Sequence, residues 1–287
     1  MDLNGKAALV LGAIRGIGKA VALDLAEAGA AVAVTTFDWE EELPALERDL
    51  SHATRDHLIV RTDLRQVGEI QPMVAAVVAR FGRLDILVNN IERGGWPVVH
   101  GAYVREQWDL EQETTLRAKH WVFAAALPHL RAAGDAAVVN LSSIAGLVGR
   151  AGPAAPVFND GYAAACRAVS SFTETWAREG APEVRVNEIM LGFVDTRHGP
   201  GTRGWGLLSD AERQAIRDHT LLGRTGTLDD VVKAVMFVLR DAPFMTGSVL
   251  RLDGGYVLGG ERVLPMPKGV EKTGFEGPRG QGVKGKS

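Results

Sequence analysis

Ala7-Ala8-Leu9-Val10-Leu11-Gly12-Ala13-Ile14-Arg15-Gly16-Ile17-Gly18 is the stretch that decides the fold. The apolar run Ala7–Leu11 suits a strand covered on both faces, as strands of parallel sheets are. Glycines follow at once, and the amphipathic segment Gly16–Ala28 comes after them. Glycine lets the backbone turn sharply and approach a bound group closely. A helix starting there offers free N–H groups and the positive end of its dipole, which suits a phosphate. The spacing is G-x-x-x-G-x-G rather than G-x-G-x-x-G. Such glycines also serve a plain tight turn. Their place between a first strand and a first helix favours dinucleotide binding.

Outward from this stretch the same alternation repeats. Apolar runs occur at Ala31–Thr35, His57–Arg61, Leu84–Asn89, Ala136–Leu141, Val184–Leu191 and Ser248–Leu252. Helix candidates lie between them at Glu40–Leu50, Gln66–Phe81, Arg105–Arg131, Tyr162–Gly180 and Leu228–Arg240. Strands alternating with helices imply parallel strands joined by right-handed crossovers. The expected fold is therefore α/β, a Rossmann-type doubly wound parallel sheet of about seven strands with helices on both faces. Ligands of such sheets bind beyond the carboxyl ends of the strands. Residues 1–264 read as one dinucleotide-binding domain. From Pro265 to Ser287 the chain is rich in Gly, Pro and Lys and has no apolar period. That segment is expected to be a flexible tail or an intersubunit arm.

Composition narrows the function. The chain has 287 residues, 46% of them hydrophobic, and a net charge of -3 from 32 basic and 35 acidic residues. No basic stripe points to nucleic acid. No apolar stretch approaches the roughly 18 residues of a membrane span. Met1–Lys6 lacks the features of a signal peptide, and the single cysteine, Cys166, cannot form an internal disulfide. A cytoplasmic protein is expected. His52 and His57 are five residues apart but fall near a helix end and at a strand start, and no C-x-x-C or H-E-x-x-H occurs. No metal is expected.

Gly12, Gly16 and Gly18 resemble the glycine motif of the short-chain dehydrogenase/reductase family, and the resemblance continues to about Gly260. It is closest in style to the 3-oxoacyl-carrier-protein reductase-like members. Asp63-Leu64 resembles the pair that contacts adenine. Asn89-Asn90 resembles the start of N-N-A-G, with Ile91-Glu92 in place of Ala-Gly. Asn140-Leu141-Ser142-Ser143 resembles the segment that ends in the catalytic serine. Arg185-Val186-Asn187 and Asp253-Gly254-Gly255-Tyr256 match family patterns in the sixth and last strands. Leu191-Gly192-Phe193-Val194-Asp195-Thr196 resembles P-G-x-x-x-T, with Leu191 for proline. The resemblance implies cofactor contacts from Gly12, Arg15, Gly16, Ile17, Gly18, Thr36, Asp63, Leu64, Asn89, Gly192 and Thr196.

The resemblance also implies a proton-donating tyrosine, a lysine four residues on, a serine and an asparagine. Ser143 and Tyr162 match the serine and the tyrosine. Cys166 stands at the lysine position and Thr115 at the asparagine position. The segment Gly149–Asp160 is longer than usual between Ser143 and Tyr162. A cation in contact lowers an acid's pKa by roughly 1–3 units. Without the lysine, Tyr162 remains able to donate a proton but is a poor base at neutral pH. Among replacements for the lysine, Lys119 lies one turn beyond Thr115 but is expected at the surface or a subunit contact. Arg167 points about 100° away from its neighbour Cys166 on a helix. Cys166 reads as a half-buried filler rather than a nucleophile. Glu92 and Asp160 offer carboxylates nearby, with Glu92 read first as an exposed loop acid. Arg197–Leu208, with Pro200 and Trp205, occupies the place of the family's substrate lid.

Cofactor choice turns on the end of the second strand. A carboxylate there binds a ribose 2′-hydroxyl and repels a 2′-phosphate. That position falls near the uncharged Thr36, and Arg15 can pair with a phosphate. NADP(H) is favoured over NAD(H), with the nearby Asp38 as the counter-indication. The expected activity is reduction of a carbonyl, oxoacyl-like or another ketone, by hydride transfer, between a small-molecule carbonyl and its alcohol. The alternatives are a dinucleotide-binding pseudoenzyme acting as a regulatory or structural partner, and a divergent non-redox enzyme with Glu92 or Asp160 as base. The resemblance further implies a homodimer or homotetramer built through the long helices.

Overall fold

The computed structural model describes residues 1–54, 56–91, 105–196, 205–261 and 263–266, apart from the side chain of Leu207. Seven strands form one parallel sheet: β1 (Ala7–Val10), β2 (Ala31–Thr36), β3 (His57–Arg61), β4 (Ile86–Asn89), β5 (Ala136–Ser143), β6 (Val184–Leu191) and β7 (Val249–Leu252). Their spatial order is β3-β2-β1-β4-β5-β6-β7, so the order reverses between β1 and β4. This is the expected doubly wound sheet, with its switch point beside the glycine loop.

The helices are α1 (Gly16–Glu27), α2 (Leu43–Ala53), α3 (Val67–Phe81), α4 (Arg105–Glu111), α5 (Ala118–Ala133), the single turn α6 (Ala145–Val148), α7 (Asp160–Gly180), α8 (Asp210–His219) and α9 (Leu228–Met236). One core lies where α1, α2 and α9 cover the sheet, with Val21, Leu25, Leu46, Leu50, Val231 and Val235 against Val10, Val34 and Ile189. The other lies under α3, α5 and α7, with Ile70, Val74, Val122 and Trp176 against Leu9, Leu87 and Val138. There Trp176 stacks on Phe123 with ring centroids 4.3 Å apart. Each fully buried side chain of this size stabilises the fold by about 1.5–3 kcal/mol.

Three differences from the sequence reading matter. The expected helix Arg105–Arg131 is interrupted by a wider π turn at Gln112–Arg117, which carries Thr115. Such turns are often found at functional sites. Strand β5 runs on to Ser143 instead of stopping at Leu141, because it continues to pair with β6 up to Ser143 opposite Leu191. Helix α8 was not foreseen: its only buried residue is Ile216, so its apolar period is faint, and a capping box of Ser209 and Glu212 starts it.

At the amino-terminal edge the sheet is pinned by Asp85, whose side chain is fully buried. Its carboxylate accepts from the Ala7 N–H at 2.9 Å and from Arg83 at 2.7 and 2.6 Å. Lys6 adds an ion pair at 3.2 Å. Burial alone would raise this carboxyl's pKa, but the donors from Arg83, Ala7 and Lys6 outweigh it and hold it below the ordinary value. The segment assigned to the tail lies, beyond Met266, outside the described residues.

Candidate active site

The glycine loop is built for close approach. Gly12 has a φ of +62°, and a Cβ on it would meet the Asn90 carbonyl oxygen at 2.8 Å. A Cβ on Gly18 would meet the Gly12 carbonyl oxygen and Asn90 Nδ2 at 2.5 Å. Thr35 holds the loop, accepting from the Gly12 N–H through Oγ1 and from the Ala13 N–H through its carbonyl, both at 3.0 Å. Asn90 Nδ2 donates to the Gly12 carbonyl at 3.0 Å. Helix α1 begins with Arg15 as its cap, without a side-chain capping bond and without an acid in its first turn. Its first N–H groups thus face the crevice with no competing carboxylate. This cradle fits a dinucleotide pyrophosphate.

Beside it, Thr36 ends β2 and is buried. The Arg15 guanidinium lies 4.2 Å over the Trp39 ring, and Trp39 itself has a φ of +61°. Arg61 and Arg65 each lie 5.2 Å from the Phe37 ring. Asp63 is gripped by Arg65 through two bonds of 2.8 and 2.7 Å, which hold its carboxyl below the ordinary range against burial. Asp63, together with the more distant charge of Asp38, raises the Arg65 pKa. Leu64 is nearly buried in the α3 core. Asn89 is fully buried and its Nδ2 donates to Asn140 Oδ1 at 2.7 Å. Its side chain therefore ties β4 to β5, and Asn90 is the residue that meets the glycine loop. On the far wall, a Cβ on Gly192 would meet Asp253 Cα at 2.7 Å, and Thr196 Cβ sits 3.9 Å from where a Cβ on Gly16 would be.

Ser143 closes β5, and its Oγ accepts from the Ala145 N–H at 3.1 Å. Tyr162 packs against the same Ala145, together with Cys166, and is buried. The longer Gly149–Asp160 segment thus still leaves Tyr162 packed in the cluster that holds Ala145, two residues beyond Ser143. The reason lies in Asn159, which sequence reasoning missed. Its Oδ1 caps α7 by accepting from the Tyr162 N–H at 2.8 Å, and its Nδ2 donates to the fully buried Glu111. Gln112 Nε2 donates to the Gly161 carbonyl at 2.9 Å. An Asn immediately ahead of a helix is a readable start signal.

Cys166 is fully buried in apolar company, more deeply than the half-buried filler expected. Thr115 is also fully buried, and its Oγ1 has no hydrogen-bond partner. The surface reading of Lys119 is overturned: this side chain has 0% exposure and donates to the Leu141 carbonyl at 2.8 Å. Lys119 stands one turn beyond the equally buried Thr115 on the same face. Glu188 on β6 is buried as well and accepts from Ser142 Oγ. Burial pushes its carboxyl pKa up, with hydrogen bonds and the charges of Lys119 and Arg167 opposing. Asp160 is exposed and paired with Arg150 at 3.2 Å, and Arg167 is exposed. Glu92 and most of the lid segment, residues 197–204, lie outside the described residues. Among the described residues no group of three or more His, Cys, Asp and Glu could hold a metal ion, and no helix is long and apolar enough to cross a membrane.

Residues 12–257 match the family model described as enoyl-(acyl carrier protein) reductase. The 3-oxoacyl-acyl-carrier-protein reductase of Thermotoga maritima is 32% identical over 265 residues, covering 90% of this chain and 100% of that protein. The 1,6-dihydroxycyclohexa-2,4-diene-1-carboxylate dehydrogenase of Pseudomonas putida is 33% identical, covering 88% and 93%. A solved short-chain type dehydrogenase/reductase from Mycobacterium ulcerans superposes with a TM-score of 0.78 at 27% identity, over 90% of this chain and 92% of that one. With its sheet order, its glycine cradle and these matches, the chain belongs to the short-chain dehydrogenase/reductase family of NAD(P)-dependent oxidoreductases.

Proposed function

We propose that this protein is an NADP(H)-dependent reductase of a ketone, with Tyr162 as proton donor and Ser143 as the group that holds the reacting oxygen. The observation that carries this reading is the burial of Tyr162 in the cluster with Ala145, whose N–H donates to Ser143 Oγ at the carboxyl end of β5. The bound nicotinamide supplies the hydride that adds to the carbonyl carbon. Ser143 Oγ donates a hydrogen bond to the carbonyl oxygen and fixes its direction. Tyr162 Oη gives its proton to that oxygen as negative charge develops there, which completes the alcohol. Asn159 and Glu111 keep the start of α7, and so the phenol, in place.

NADP(H) is favoured over NAD(H) by the uncharged Thr36 at the end of β2 and by Arg15, which its stacking on Trp39 holds beside that strand end. Gly12, Gly16, Ile17 and Gly18 cradle the pyrophosphate, Asp63 and Leu64 border the adenine, and Gly192 and Thr196 close the nicotinamide side. The similarity to a 3-oxoacyl-acyl-carrier-protein reductase and to a cyclic carboxylate dehydrogenase supports a substrate with a ketone carbonyl and an acyl or acid group. The exposed Trp108 and Trp121 on the α4 and α5 surface support a homodimer or homotetramer, which light scattering at micromolar concentration would register.

A second reading has one specific observation in its favour. Cys166 is buried with apolar neighbours and brings no charge from α7, as in a dinucleotide-binding protein that has lost its turnover. Calorimetric titration with NADPH and NADH, followed by NADPH oxidation against a panel of ketones, separates the two. The reductase reading expects micromolar NADPH binding, weaker NADH binding and turnover of at least one 3-oxoacyl or cyclic ketone. Binding without turnover on any of the panel favours the second reading, and no binding of either nucleotide sinks both.

A further inference from the structure

Trp39 is the one residue other than glycine with a positive φ among the described residues, +61°. A side chain in the left-handed region costs energy and stays there only where its surroundings demand it. Trp39 leads into the turn Glu40–Glu42, and its carbonyl accepts from the Glu42 N–H at 2.9 Å. The residue is 40% exposed, so burial of the indole does not account for the conformation. What the conformation provides is a contact: the ring lies 4.2 Å under the Arg15 guanidinium.

Three guanidinium groups meet the two rings of Phe37-Asp38-Trp39. Two of them are matched by acids. Arg61 pairs with Glu40 at 3.3 Å, and Arg65 grips Asp63 through bonds of 2.8 and 2.7 Å. Arg15 has no carboxylate partner among the described residues, and its side chain makes no capping bond. A carboxylate there would cancel the charge and repel a phosphate. A ring face holds a guanidinium through its quadrupole and leaves the charge whole. Stacking also occupies only the flat face of the guanidinium, so its in-plane N–H groups remain for phosphate oxygens. Thr35 fixes the place. It accepts from the Gly12 and Ala13 N–H groups, so the loop that carries Arg15 is tied to the end of β2. In such folds that strand end meets the ribose 2′ position, and here it is closed by the buried, uncharged Thr36.

We propose that Trp39 is a positioning residue for cofactor selection, whose indole holds Arg15 with its charge whole and its N–H groups free for the 2′-phosphate of NADPH. This rests on the reading of the protein as NADP(H)-dependent. NADH carries a hydroxyl where NADPH carries that phosphate, and gains nothing from the stacked pair.

The test is calorimetry with NADPH, NADH and the fragments adenosine 2′,5′-bisphosphate and 5′-AMP. Trp39→Leu is expected to weaken NADPH and the bisphosphate by about fivefold, the worth of a cation–π contact near the surface. NADH and 5′-AMP should stay within about twofold of their values with the parent. Trp39→Phe keeps a ring face and should stay within about twofold for all four ligands. Trp39→Gly removes the ring and relieves the left-handed backbone, so it should lose the same NADPH affinity without a lower melting temperature. In an Arg15→Leu background, Trp39→Leu should have no further effect on NADPH, because the ring acts only through the guanidinium. An NADPH preference that survives Trp39→Leu overturns the proposal, as does a loss that persists undiminished without Arg15. Equal loss of all four ligands also overturns it and makes Trp39 a platform for adenine or a structural residue. A parent protein that binds NADH as tightly as NADPH sinks the NADP(H) reading and the proposal with it. A parent that prefers NADPH leaves that reading standing whichever way Trp39 falls.

Discussion

Asp85 and Glu188 are both fully buried carboxylates, Asp85 just ahead of β4 and Glu188 within β6. Asp85, at the amino-terminal edge, meets Arg83, Lys6 and the Ala7 N–H, and its pKa falls. Glu188, towards the carboxyl edge, meets the Ser142 hydroxyl and has no charged donor within hydrogen-bond reach among the described residues, and burial raises its pKa. The difference separates two uses of buried charge. A carboxylate whose lone pairs are met by charged donors anchors the strands. One left partly satisfied is costly to keep ionised. Here it sits on the side of the sheet where the glycine cradle, Ser143, Tyr162 and Lys119 gather.

The comparison breaks most readily at Asp85. Asp85→Asn should lower stability by about 3 kcal/mol at pH 7 by leaving Arg83 and Lys6 without their buried partner. Urea unfolding measures it. Because the folded pKa is lowered, this contribution is present above the unfolded value of 3.8 and is lost as pH falls through the folded value. The deficit of the variant should shrink accordingly in acid, while NADPH binding at pH 7 should stay unchanged. A variant as stable as its parent would remove the anchor from the account.

Gly18→Ala probes the other end. A Cβ there is 2.5 Å from the Gly12 carbonyl oxygen and Asn90 Nδ2, so the cradle has to open. NADPH affinity in calorimetry should drop by at least about tenfold, equivalent to 1.4 kcal/mol. Unchanged affinity would mean that the loop does not hold the pyrophosphate. Asn159→Ala removes the cap of α7 and should cost about 1 kcal/mol of stability. It should also slow ketone reduction more than it weakens NADPH binding, since Tyr162 follows the cap directly. Equal loss of both would make Asn159 a purely structural residue.

The smallest effect is expected at Glu188. Its folded pKa is raised, so the native state keeps the proton longer than the unfolded chain, and stability falls as pH rises from the unfolded value of 4.5 through the folded one. Glu188→Gln should remove that slope and cost less at pH 7 than Asp85→Asn does. Thermal unfolding across that range reads it, and an unaltered slope would assign the pH dependence elsewhere.

Most of the sheet was legible because buried parallel strands are written as unbroken apolar runs. Val184–Leu191 was read to the residue despite Glu188 within it, and that very Glu was the overlooked sign of a buried charge. The glycine loop was legible because its requirement is local: backbone space and free N–H groups. The π turn at Gln112–Arg117 was not, since apolar spacing passes through it without a break. The burial of Lys119 was hidden because a lysine on a helix is ordinarily exposed, and its acceptor, the Leu141 carbonyl, lies on a separate strand. Helix α8 escaped because a helix resting on Ile216 alone has almost no apolar face. Of the site, Ser143 and Tyr162 could be named by pattern, but the start of α7 that carries Tyr162 is tied down by Asn159 and Glu111, a contact between separate elements.

The most direct test of the account is Tyr162→Phe, assayed for NADPH binding by calorimetry and for NADPH oxidation with the best ketone of the panel. The account predicts binding within about twofold of the parent and a rate lower by about 10²–10⁴, the worth of a well-placed proton donor. A Phe variant that reduces the ketone as fast as its parent would contradict the assignment of Tyr162 and send the search for the donor to another residue of the pocket.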